Sequence, residues 1–141
     1  MAEKMGFEGL TYYGTAGSTA STPIVIIRDT TYSVDPTKAS TTSKGAGTSA
    51  PIETEDVVSL KFSYDFNLTN DITDAAVAAL WAAAVAGTPV ALRTKDHASG
   101  KGFDGDVTLS VKNGAPLAGE QTFDFTATPT KKSGRAPVLY T

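Results

Sequence analysis

Val58-Ser59-Leu60-Lys61-Phe62-Ser63-Tyr64-Asp65-Phe66-Asn67-Leu68 alternates apolar and polar residues without a break. Side chains on a strand point to opposite faces in turn, so the stretch predicts a long strand with one dry face and one wet face. Phe62 and Phe66 on the dry side are expected to anchor a core. The strand leads into an alanine-rich segment that predicts a helix over about residues 71–86. Asn70 or Asp71 would be its N-cap and Asp74 would lie near its positive end, with Gly87 and Pro89 as the stop. Val77, Leu80, Trp81, Ala84 and Val85 share a side at spacings of three and four, which casts Trp81 as the largest core anchor.

Upstream, Phe7 to Tyr13 predicts a strand and Gly14 to Thr22, all Gly, Ser, Thr and Ala, a loop. Ile24 to Ile27 predicts a strand buried on both faces that continues through Thr30, Tyr32 and Val34. Residues 36–51 hold no large apolar side chain, which predicts a long loop able to order only against a neighbour. Downstream, Val90 to Arg93 forms a further strand. Phe103 to Val111 and Phe123 to Ala127 alternate as partner strands, with Asn113-Gly114 starting the reversal between them. Pro129 to Arg135 is basic, and Ala136 to Thr141 is a short apolar end whose exposure would be costly. The fold class is mainly β: an antiparallel β-sandwich or small barrel with one flanking helix, in a single domain over residues 1–141.

Composition narrows the function. A net charge of −3 argues against a domain that grips phosphate backbones, and the absence of cysteine excludes disulfides and thiolate metal sites. Met1-Ala2-Glu3-Lys4 lacks the basic-then-apolar pattern of a signal peptide, and Ala75 to Ala86 is too short to span a bilayer, so no membrane partner is expected.

Chemistry-bearing constellations are sparse. His97, the sole histidine, has Asp96 and Ser99 beside it only in sequence, whereas a catalytic triad is defined by spatial geometry. Asp104 and Asp106 project from one strand face roughly 7 Å apart, but no aromatic sugar platform accompanies this carboxylate pair. Glu53, Glu55 and Asp56 lack the spacing of a calcium loop. Gly14-x-x-Gly17-Ser18-Thr19 and Gly45-x-Gly47 lack the Gly-Lys-Ser/Thr ending of a phosphate loop, and Asn67-Leu68-Thr69 matches a glycosylation pattern short enough to arise by chance. No enzyme activity, metal or cofactor is expected.

The order of pieces nevertheless resembles a known family. Its marks are Ile27-Arg28-Asp29-Thr30-Thr31-Tyr32-Ser33, the Lys38-Ala-x-x-Thr41-Thr42-x-Lys44-Gly45 loop, and a strand and helix ending in Ala86-Gly87-Thr88-Pro89. Gly102-Phe103-Asp104-Gly105-Asp106 and Pro116-Leu117-x-Gly119-Glu120 follow. Together, over residues 20–141, they resemble the major tail, or tail tube, protein of long-tailed bacteriophages with non-contractile tails.

The resemblance implies a virion subunit that forms stacked, hexameric rings around a lumen for DNA. Its partners would be further copies of itself, the tape-measure protein, and terminator and tip proteins. It implies that Lys38, Thr41, Thr42, Lys44, Gly45 and Gly47 form an inter-subunit loop. Residues 129–141, with Arg135, Val138, Leu139 and Tyr140, would be a C-terminal arm. The wet face bearing Asp104, Asp106 and Asp124 is the candidate lumen surface, because carboxylates repel phosphates and let DNA slide. Two alternatives stay open: the tube of a contractile tail or cell-borne injection system, and an immunoglobulin-like adhesion module.

Overall fold

The computed structural model describes residues 3–43, 47 and 50–141. After a 3-10 turn at Gly6–Glu8, the elements are β1 (Leu10–Thr15), β2 (Thr22–Pro23), β3 (Ile27–Ser40), β4 (Glu55–Thr69), α1 (Ala75–Ala86), β5 (Val90–Lys95), β6 (Gly102–Gly114), β7 (Thr122–Thr130) and β8 (Val138–Tyr140). The strands form one antiparallel sheet in the order β2-β1-β5-β6-β7-β4-β3, with β8 added to β6. Three strands separate β1 from β4 in this order, yet Thr11 Oγ1 and Tyr64 OH meet at 2.6 Å. The sheet therefore curls until its two halves face each other, an open barrel whose edges β2 and β3 are not paired.

The alternation in β4 works as expected from Phe62 onward: Phe62, Tyr64, Phe66 and Leu68 are buried. They pack with Phe103, Val107 and Leu109 of β6, Phe123, Phe125 and Ala127 of β7, and Ala76, Val77 and Leu80 of α1. Phe62 stacks on Phe103 at 4.3 Å and Phe66 on Phe125 at 5.3 Å. Burying such side chains stabilises by about 1.5–3 kcal/mol each. β6 and β7 pair as the sequence indicates, from Asp106↔Thr130 to Gly114↔Thr122.

Several boundaries move. The helix starts at Ala75 and its N-cap is Asp74, whose carboxylate accepts from Ala76 N at 2.8 Å. Asp71 instead closes the preceding turn by accepting from Thr73 N at 2.9 Å. Gly87 ends the helix in the left-handed conformation, φ 70°, that glycine adopts without strain. Trp81 is not a core anchor: it is 45% exposed, while Leu80 is fully buried. With alanine nearly all round the cylinder, apolar spacing could not say which stripe faces inward, and the sheet takes Ala76, Val77, Leu80 and Ala83.

The strand expected at Ile24 begins at Ile27 instead; Ile24 is buried, but Val25 is 77% exposed. The loop expected over 36–51 is also corrected. Pro36 to Ser40 belong to β3 and pair with Glu55 to Leu60 of β4, because a partner strand supplies the backbone hydrogen bonds that small polar side chains do not advertise.

Candidate assembly surfaces

β3 and β4 form a hairpin that outruns the rest of the sheet. β7 pairs β4 only over Tyr64 to Thr69, so residues 55–61 of β4 and 28–40 of β3 are exposed on both sides. This ribbon carries Val57, Val58 and Leu60, each more than half exposed. Lys38 lies on it opposite Val57, within β3. Beyond the ribbon, Thr41 N donates to Thr54 O at 2.9 Å and Thr54 N to Thr42 Oγ1 at 2.8 Å, so Thr41 and Thr42 tie the base of the tip. Gly47 is in the left-handed region at φ 79°. Lys44 and Gly45 lie outside the described residues.

The C-terminal segment folds back over β6. Arg135 lies across two carboxylates, with Nη1 2.9 Å from Asp104 Oδ1 and Nη2 3.1 Å from Asp106 Oδ1. Asp106 is fully buried and also accepts from Gly17 N at 3.0 Å and from the Ser133 hydroxyl. Burial works against the charge on Arg135, but hydrogen bonds and attraction from Asp104 and Asp106 outweigh it and raise its pKa. β8 then pairs Phe103↔Leu139, and the Tyr140 hydroxyl donates to Thr94 O. Burial pushes the Tyr140 phenol up. A Cβ on Gly105 would sit 2.9 Å from Pro137 Cα, so glycine is what lets this backbone lie against β6.

That arrangement corrects the wet face expected from Asp104, Asp106 and Asp124. Strand parity puts the three on one side of the sheet, but the C-terminal segment and the Gly17 turn cover Asp106 and engage Asp104. Alternation assigns a side and cannot see a distant segment that folds over it. Asp124 stays exposed and accepts from the Asn67 side chain.

The uncovered polar face instead spans β3, β4, β7 and the far end of β6. It carries Asp29, Thr31, Asp65, Asn67, Asp124 and Thr126 around one shallow depression. Asp35↔Lys61 and Lys112↔Asp124 are paired by register on the same side, which leaves Asp29 and Asp65 as its acidic excess.

Ser133 carries no signal in the sequence; Gly17 stands out there only in a rejected phosphate-loop pattern, Asp29 and Gly105 only within motifs of the family resemblance, and Asp65 only as part of the wet side of the Val58–Leu68 strand. Gly105 also carried a local signal, a glycine inside an otherwise alternating strand.

Among the described residues no group of three His, Cys, Asp or Glu side chains is placed to hold a metal ion, and no helix is long and apolar enough to cross a membrane. His97 Nδ1 lies 2.7 Å from Asp96 Oδ1 in the turn before β6.

No protein-family model matches the chain, and no curated protein matches its sequence. Solved structures do. A chain from the tail of an empty gene transfer agent particle, determined by helical refinement with C6 symmetry, superposes with a TM-score of 0.76 at 13% identity, covering 99% of this chain and 100% of that one. A chain from the virion of a native gene transfer agent particle gives 0.71 at 11% identity, with 99% and 100% coverage. The SPP1 tail tube gives 0.66 at 9% identity, covering 98% of this chain and 79% of that one. Over its whole length, the chain has the fold of these tail components.

Proposed function

We propose that the chain is the subunit of a tail tube, closing into six-membered rings that stack around a lumen through which DNA passes. The observation that carries this is the end-to-end likeness to a subunit of a helical, C6-symmetric tail. The exposed ribbon agrees with it, since a two-stranded projection with apolar side chains on its surface is costly in water and is relieved when a neighbouring copy covers it. The segment that leaves the ribbon at Thr41 and Thr42 and rejoins it at Thr54 is then the inter-subunit loop, and the contact is head-to-tail, closing around the ring and open along the axis.

The lumen surface in this reading is the uncovered sheet face with Asp29, Asp65 and Asp124. Its carboxylates, Asp29, Asp35, Asp65 and Asp124, outnumber its lysines, Lys61 and Lys112, so the face as a whole repels phosphates. A tape-measure protein and terminator and tip proteins are the further partners, and the role is structural, without catalysis.

Sedimentation of the purified protein over a concentration series tests the reading. A shift from monomer to very large species with rising concentration is expected, and a monomer at every concentration would refute it.

A further inference from the structure

Two apolar surfaces remain unpartnered at opposite ends of β4 and β7. The first is the outer side of α1, where Val85 is 64% exposed and Ile72 (91%) and Trp81 (45%) line a hollow of about 240 Å³ that reaches Phe123 at the start of β7. A helix apolar all round is normally covered all round, yet this one has only its inner stripe buried. The second is a groove of about 440 Å³ where β4 splays away from β7 and β8, lined by Leu60, Phe62, Phe103, Pro129, Pro137 and Leu139. Phe123 and Pro129 are six residues apart on β7, so the two surfaces lie roughly 20 Å apart along the strands.

Their rims differ in charge. Asp71 and Asp74 flank the helix surface and form no ion pair among the described residues. The turn Lys131–Gly134 joins Pro129 to Pro137, both of which line the groove, and Lys101 lines its continuation beside Tyr140; none of these lysines forms an ion pair among the described residues, while the local carboxylates Asp104 and Asp106 are already taken by Arg135.

We infer that the Trp81 face of α1 docks into the β4–β8 groove of a second copy, with Asp71 and Asp74 against Lys131 and Lys132. One copy thus carries both halves of a heterologous contact at opposite ends, which is the geometry of a repeating head-to-tail assembly. The inference rests on the tail-tube reading and names the surfaces that join its subunits. Trp81 is the anchor, an aromatic with nearly half its surface still in water before assembly.

The chain has no cysteine and a single tryptophan, which makes the test direct. Ala78→Cys and Val138→Cys, both at exposed positions, are made in separate chains, mixed in equal amounts and treated with a short thiol crosslinker while Trp81 emission is followed. Dimers crosslinked between the two introduced thiols and a blue shift on polymerisation are expected. Trp81→Ser should raise the concentration needed for polymerisation tenfold or more, as a rough expectation for a central aromatic, and Lys131→Glu with Lys132→Glu should raise it as well. Large assemblies without the crosslink overturn the inference and leave the tail-tube reading standing, whether or not the emission shifts. A wild-type chain that stays monomeric overturns both.

Discussion

Arg135 bridges Asp104 and Asp106, joining the C-terminal segment to β6 through a carboxylate that has no exposure to water. Gly17 donates to the same carboxylate, so one side chain fastens segments from both ends of the chain. Asp106→Ala removes every one of these acceptors and should destabilise the monomer by about 3 kcal/mol, the lower end for a broken buried pair because Arg135 keeps 20% of its side chain in water. A urea midpoint unchanged from wild type would contradict this. Amide exchange should quicken both near Gly17 and at β8.

Gly105→Val tests the same docking without touching a charge. Its Cβ would collide with the Pro137 backbone, so β8 should lift off while the sheet persists, seen as lost amide protection at Leu139 and Tyr140. Retained protection there would show that β6 tolerates a side chain at this contact.

Leu80 and Trp81 should behave oppositely to what their sizes suggest. Leu80→Ala empties a fully buried site and should cost about 2–5 kcal/mol. Trp81→Ala should change the monomer's stability by much less, since nearly half of the residue is already in water. Thermal or chemical denaturation of the two variants at low concentration, where monomers prevail, separates these outcomes.

Tyr64 contributes to the loss of stability at alkaline pH. Burial holds its phenol above the ordinary value of 10.0, against the opposing hydrogen bonds from Thr11 and Thr30. The stability it contributes is complete below pH 10 and is lost as the pH rises through the raised folded value. Wild type should therefore lose stability above pH 10 more steeply than Tyr64→Phe, which itself should cost about 1 kcal/mol at pH 7 through the lost Thr11 bond. Parallel alkaline profiles for the two proteins would contradict the assignment.

Asp65 and Asp124 lie on the exposed polar face, whereas Asp104 and Asp106 are engaged by Arg135. Asp65→Lys with Asp124→Lys should leave folding and assembly intact and slow DNA passage, because lysines hold phosphates that carboxylates repel. Asp104→Lys with Asp106→Lys should instead reduce folding. Ejection assays beside melting curves distinguish the pairs, and unchanged ejection in the first pair would place that face outside the lumen.

The core strands were legible because their apolar residues recur with period two: Phe62 to Leu68, Phe103 to Leu109 and Phe123 to Ala127 each bury that apolar side, and only Asp106 adds a buried residue from the polar side. The outer ribbon was hidden because Pro36 to Ser40 carry no pattern of their own and take strand geometry from β4. The inward stripe of α1 was ambiguous because alanine fills both sides. The Asp106 seat was illegible for a different reason. Gly17, Ser133 and Arg135 reach it from positions 89, 27 and 29 residues away, and no local spacing encodes such a meeting.

A tail tube subunit assembles into hollow, six-fold tubes. Electron microscopy of the concentrated, purified wild-type chain tests it most directly: hollow tubes with six-fold end views and a central channel are the expected image. Discrete, unassembled particles at the highest attainable concentration would contradict it.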